Sequence, residues 1–424
     1  MGIRAVIVGA LAVLAVCASS GAWAGDLGIH IANWRPRADS TLATHPDETT
    51  PEDLAALRAL GFRYVRMGTS WATFEPSPGV YAWNRTADFV AAAQAQGLTP
   101  VLILGGGHPV LTGDADRPPE TPDQIKAFAS FAAQAAARFG PDVVWEIWNE
   151  PDLPSNWQGH VDPAGYAAVA SAACAAMKQA APGVRVVGPA IADVPTLAGE
   201  GWGQAASLVE AVIRSPAGTC LDALTVHPYR RGGAAPERAL RDYAKIRAFI
   251  ARTTPAGQKP LPLAVSEWGF STGDMPSERQ ADWLVRAALV NKMAELPFSV
   301  FYEWRDSPHD DASESQYGLL AADRTEKPAL VALRAALAHV ADATFVRRLK
   351  VGTSSDFVLE LRHPDQRGVI AFWTVLPPEG RRLSIGDRVV SLSAAPNFVA
   401  FDGATPAVRA LGDAARTKEG KEGS

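Results

Sequence analysis

Two glutamates carry the acid–base potential of this chain: Glu150 in Trp145-Glu146-Ile147-Trp148-Asn149-Glu150-Pro151, and Glu267 in Ser266-Glu267-Trp268-Gly269. Residues 143–148 are apolar, β-branched and aromatic, which reads as a buried strand. Pro151 stops it, because proline cannot donate into a sheet ladder. A carboxyl held against tryptophans is partly desolvated, which favours its protonated form and suits a general acid. Two such carboxyls facing one another across a sugar ring can break a glycosidic bond. One protonates the departing oxygen, and the other attacks the anomeric carbon or stabilises the sugar cation.

Further polar and aromatic groups stand at comparable strand ends: Arg66, His108, Asn149, His227, Tyr229, Trp268 and Trp304. Arg66 is suited to hold Glu267 ionised, and Tyr229 or His227 to position it by hydrogen bonding. Asn149 is a candidate donor to a sugar 2-hydroxyl. Trp268 and Trp304 are candidate stacking platforms for the C–H face of a sugar. His108, after Gly105-Gly106-Gly107, is a candidate substrate contact or a satisfied core histidine. Glu146 lies inside its strand and reads as half of a buried structural pair, while Glu303 is the rival to Glu267. Trp34, Trp71, Trp157 and Trp202 fall between elements, where they could line further subsites; Trp283 and Trp373 read as packing. With Glu150, the two histidines could ligate a metal, but the paired Asp and His ligands of barrel metallohydrolases are absent. No metal or other cofactor is expected.

Groups so far apart in sequence need a scaffold that gathers them. Apolar runs at 27–32, 62–67, 99–104, 143–148, 184–187, 221–226, 261–265 and 298–302 alternate with helical segments. Eight strand–helix pairs over residues 25–341 predict an α/β fold, a (β/α)8 TIM barrel, whose strand C-terminal ends form one rim. The runs are continuous rather than alternating, as parallel strands buried on both faces require. A doubly wound open sheet is the rival. Residues 342–410 break into short strands between turn residues, which predicts a small C-terminal all-β, sandwich-like domain. Residues 411–424 are charged and glycine-rich and read as a disordered tail.

Residues 1–24 read as a secretory signal: Arg4, an apolar stretch at 5–17, and a small-residue site at Ala22-Trp23-Ala24. A lipoprotein reading through Cys17 is the alternative, with Val16 bulky for that position. An exported protein, periplasmic or extracellular, is expected, without a membrane span after cleavage. Cys174 and Cys220 could then be joined or remain buried free thiols; spacing does not decide. The net charge is −5 with no long basic run, which argues against nucleic acid or an anionic membrane as partner.

Taken together, Trp-Asn-Glu-Pro at the fourth strand, His-Pro-Tyr at the sixth, Ser-Glu-Trp-Gly at the seventh and Tyr-Glu-Trp at the eighth resemble clan A of the glycoside hydrolases. Residues 61–83 and the trailing β region are most similar to family 39 and its bacterial exopolysaccharide-associated relatives. The resemblance covers about residues 27–402. It implies a retaining double displacement on an oligo- or polysaccharide, with Glu150 as acid/base and Glu267 as nucleophile. It also places Asn149, His227, Tyr229 and Trp304 around the first sugar subsite. Relatives often carry bulkier residues where Gly105-Gly106-Gly107 precedes His108. A barrel that binds carbohydrate without cleaving it is the alternative.

Overall fold

The computed structural model describes residues 25–34, 48–157, 159–195, 202–230, 234–307 and 315–411. Residues 1–24, read above as a signal, and residues 412–424 of the expected tail lie outside the described residues, while Leu411 ends a strand rather than starting that tail. Eight parallel strands are β1 (Asp26–Ile31), β2 (Tyr64–Ser70), β3 (Thr99–Gly105), β4 (Val144–Ile147), β5 (Arg185–Val187), β6 (Leu224–Val226), β7 (Leu263–Val265) and β8 (Phe298–Phe301). Their order in the sheet is β5-β4-β3-β2-β1-β8-β7-β6. The two ends meet through parallel bridges Val187–Ala223 and Ile191–Val226, so the sheet closes on itself. Helices lie between successive strands, as in a TIM barrel. Local sequence starts them where expected. Thr50 and Thr121 each close a capping box, with Asp53 and Gln124, and a proline follows each threonine.

Side-chain alternation along the strands sorts the barrel into layers. Tyr64, Val101, Val144, Val187, Ala223, Ala264, Phe298 and Val300 pack together as a separate apolar cluster that plugs the interior. Gly28 belongs to this level, since a Cβ there would stand 2.8 Å from the Tyr64 Cβ. Two residues further along the same strands come His30, Arg66, Ile103, Glu146, Thr225, Ser266 and Tyr302. Apart from Ile103, this level is polar, and it forms the floor of the rim above the apolar plug.

Two antiparallel sheets follow the barrel. One contains β9 (Thr344–Arg348), β10 (Asp356–Arg362), β11 (Gly368–Thr374) and β14 (Asn397–Phe401); the other contains β12 (Arg382–Ile385), β13 (Arg388–Ser391) and β15 (Val408–Leu411). Val358, Ile370 and Phe372 face Leu383 and Ile385 of the smaller sheet. The alternate residues Phe357, Leu359, Val369 and Trp373 join the main core of the barrel. A buried polar tie reinforces that seam: Trp373 Nε1 donates to Glu237 at 2.6 Å, and Arg286 grips the same carboxylate at 2.6 and 2.7 Å.

Cys174 and Cys220 are joined in a disulfide, with Cα atoms 6.1 Å apart, which corrects the free-thiol alternative. The helix Pro163–Ala180 is fixed against the turn that precedes Cys220. The Ser171 hydroxyl accepts from the Ala217 amide at 3.1 Å and meets Ser215 Oγ at 3.2 Å. Sequence spacing carries no trace of that packing.

Candidate active site

Arg66 is the hub of the rim. Its side chain is fully buried, and each part of its guanidinium is spent: Nε on Glu146 at 2.9 Å, Nη1 on Glu267 at 2.5 Å and Nη2 on the Asn149 oxygen at 2.8 Å. Nη1 also faces His30 Nδ1 at 3.1 Å. A guanidinium has only donors, so Nδ1 accepts and the imidazole proton sits on Nε2. Burial, helped by the Arg66 charge, pulls His30 down to about 3, which keeps it neutral. Glu146 is the buried structural partner that its place inside the strand predicts.

Glu267 receives a second donor, the Tyr229 hydroxyl, at 2.7 Å on the other carboxylate oxygen. Burial pushes its pKa up, but the neighbouring His227, Arg66 and His30 together with the Tyr229 hydrogen bond hold it down at about 2. Glu150 has different company. Oε1 meets His227 Nδ1 at 2.7 Å and Oε2 takes a long contact of 3.4 Å from the Asn156 amide. His227 Nε2 in turn meets Ser266 Oγ at 3.0 Å. Burial alone would lower the His227 pKa; the charges of Glu267 and Glu150, and the hydrogen bond to Glu150, outweigh it and raise it. One glutamate is thus locked as an anion, while the other shares a titratable partner.

The backbone around Glu150 is under strain. Trp148, Glu150 and Ala190 all take left-handed conformations, with φ of 68°, 49° and 58°. Such geometry costs about 1–3 kcal/mol per non-glycine residue and persists where the surroundings over-determine it.

A cleft of about 890 Å³ opens over these groups, with His30, Arg66, Asn149, Glu150, Tyr229 and Glu267 in its lining. Ligand atoms of Glu150, His227 and Glu267 lie within 4.8 Å of one another. Three such donors could converge on one cation, although His227 already engages both ring nitrogens.

Several strand-end residues are elsewhere. His108 is buried away from the cleft: its Nε2 meets the Glu75 carbonyl at 2.7 Å and its Nδ1 accepts from the amides of Val110 and Leu111. The glycines before it allow that turn, since a Cβ on Gly107 would stand 2.3 Å from carbonyl oxygens of Arg117 and Asp114. Trp268 and Trp304 are 0% and 4% exposed, which rules out both as open stacking platforms. The chain leaves β8 at Phe301, and the aromatic that reaches the cleft is Tyr302. Its ring lies 5.0 Å from His30 and 5.5 Å from Tyr317, which also lines the cleft. Trp34, Trp71, Trp157 and Trp202 are packed in the core rather than along subsites. Glu303 is buried and does not line the cleft. Among the cleft residues that strand-end reading misses are His30, Tyr302 and Tyr317. Stepping two positions up from Gly28 and Val300 finds the first two; Tyr317 comes from a later loop and leaves no such signal.

Comparison with known proteins bears on the family and the fold. A family model described as cellulase (glycosyl hydrolase family 5) matches residues 30–308. No curated protein matches the sequence. Among solved structures, a family 39 glycoside hydrolase from the gut symbiont Bacteroides cellulosilyticus WH2 is similar, with a TM-score of 0.70 and 20% identity over 88% of this chain and 80% of that one. A glucosidase from Croceicoccus marinus follows with a TM-score of 0.62 and 17% identity, covering 87% of this chain and 84% of that one. A GH30 endoxylanase from Clostridium papyrosolvens C71 has a TM-score of 0.55 and 12% identity, covering 89% and 94%. The family match spans well over half of the chain. The protein therefore belongs to the cellulase (glycosyl hydrolase family 5) family and is a glycosidase of the clan-A barrel type that its strand-end motifs resemble.

Proposed function

We propose that this glycosidase is exported and hydrolyses an oligo- or polysaccharide, with exopolysaccharides among the candidates, by a route that retains anomeric configuration, using Glu150 as acid/base and Glu267 as nucleophile. The observation that supports this most is the approach of the two carboxylates to within 4.8 Å, oxygen to oxygen, across one cleft. Retaining enzymes hold their carboxyls about 5–5.5 Å apart, whereas inverting enzymes leave about 6.5–9.5 Å for a water. In the first step a Glu267 oxygen bonds to the anomeric carbon as the bond to the leaving oxygen breaks, and the Glu150 proton goes to that oxygen. In the second, Glu150 takes a proton from water, the water oxygen bonds to the anomeric carbon, and Glu267 leaves as carboxylate. Arg66 and Tyr229 hold Glu267 ionised for the attack; Asn149 and His30 face the sugar as hydrogen-bonding partners, and Tyr302 offers it a ring. Proton NMR in the first minutes of hydrolysis is expected to show the product with the anomeric configuration of the substrate; initial appearance of the opposite anomer rules the mechanism out.

The sugar is best found with a polysaccharide panel whose products are sized by chromatography. Similar structures include a glucosidase and an endoxylanase, so both exo and endo action belong in that screen. Export is supported by the disulfide, a bond that persists mainly in oxidising compartments. The described residues contain no helix long and apolar enough to cross a membrane. The mature protein is expected in the periplasm or medium with an N-terminus at or near Gly25; recovery of uncleaved chain from the cytoplasm alone counts against export.

A further inference from the structure

Residues 190–193 run along the cleft between the exits of β4 and β6, and their backbone is tied to both. The Ala190 carbonyl accepts from the Glu150 amide at 3.1 Å, and the Ile191 carbonyl accepts from the His227 amide at 2.7 Å. Ala190 donates to the Thr225 hydroxyl at 2.9 Å. The next two amides go to a side chain. Ala192 and Asp193 donate to the two oxygens of Asp152, at 3.0 and 2.8 Å.

Asp152 is 2% exposed, does not line the cleft, and lies two residues beyond Glu150. Burying a carboxylate is unfavourable unless its charge is satisfied, and charge-assisted bonds to amides are stronger than neutral ones. Here both oxygens are committed to consecutive amides of one segment. That segment sets the backbone of Glu150 on one side and of His227, the partner of the Glu150 carboxylate, on the other. Glu150 and Ala190 both hold left-handed backbone conformations across this junction. If the segment slackens, that strain can relax and the Glu150 carboxyl can swing.

We infer that Asp152 is a positioning residue for proton transfer: by clamping residues 190–193 it fixes where Glu150 and His227 meet. The inference rests on Glu150 being the acid/base. An asparagine at 152 has one acceptor oxygen and would turn its amide nitrogen toward an N–H, so it keeps the shape and loses the clamp.

The test is the leaving-group dependence of kcat/KM, which reports the first displacement. For Asp152→Asn, phenyl glycosides of the preferred sugar, whose leaving oxygen needs a proton, are expected to react about tenfold to a hundredfold more slowly than with wild type. Dinitrophenyl glycosides, which depart without a proton, should stay within about threefold. A purely structural weakening slows both alike, and that outcome, or no change in either, overturns the inference. Glu150→Ala is measured alongside. Selectivity in that variant but not in Asp152→Asn sinks the role of Asp152 alone; its absence from Glu150→Ala sinks the acid/base assignment as well. Should Asp152→Asn fail to fold, Asp152→Ser, whose hydroxyl can still accept from one amide, is read by the same criteria.

Discussion

Glu267→Gln is expected to lower kcat/KM by about 10⁴- to 10⁶-fold, the scale on which losing a nucleophile acts when the rest of the site is intact. The loss should be as deep on dinitrophenyl glycosides as on natural linkages, because the missing step is the attack itself. The fold should survive: Arg66 keeps Glu146 and Asn149 as partners, and the side-chain amide oxygen of the variant still offers Tyr229 an acceptor. The substitution also removes one of the two negative charges that raise the His227 pKa. The histidine resonance, followed by NMR, should therefore titrate at lower pH in the variant. Activity within a hundredfold of wild type would return the nucleophile's role to another group.

Glu150→Ala should behave differently. Without a proton donor, cleavage of poor leaving groups is expected to fall by about 10²- to 10⁴-fold, while the first displacement of a dinitrophenyl glycoside changes little. Water then lacks its base, so a glycosyl ester on Glu267 accumulates, visible as a burst of dinitrophenolate and as a mass increase on the peptide carrying Glu267. Azide fits the space left by the side chain and needs no base, so it should release a glycosyl azide. Failure to form that product in the presence of a burst would count against Glu150. The pH profile sharpens the test. Glu267 is held down at about 2, and a carboxyl is ionised above its pKa. The burst rate of this variant should therefore stay level as pH falls from about 7 to about 4. A steep decline in that window would mean that His227, Arg66, His30 and Tyr229 together do not keep the nucleophile charged once Glu150 is gone.

Much of this arrangement is legible in the residues, for a physical reason. Barrel strands are buried on both faces, so they appear as apolar runs, and a carboxylate directly after such a run has few places to be except the rim. Glu150 and Glu267 follow such runs within two residues, and Asn149 and Tyr229 within three, whereas Arg66 lies inside its own strand. Aromatic residues past the strand ends do not obey it. Whether Tyr302 or Trp304 faces the cleft depends on where the chain turns out of β8, and alternation stops being a guide there. His108 follows a glycine run whose path is set by contacts with residues 114 and 117, well outside any local pattern. His30 was readable in principle: a lone histidine in Leu27-Gly28-Ile29-His30-Ile31 stands out once the glycine is recognised as part of the interior plug. The disulfide depends on the docking of two helical segments and is silent in sequence.

Glu237, shared between Arg286 and the indole of Trp373, bears on how this protein can be cut and recombined. The trailing sheets are not a detachable appendage, since one face of β10 and β11 continues the main apolar core outside the barrel's interior plug. A fragment ending before Thr344 would take Phe398 off the His339 ring on which it stacks and strip the indole from Glu237. Fusion partners and truncations therefore belong beyond Leu411, and chimeras with related enzymes should exchange barrel and sheets as one piece.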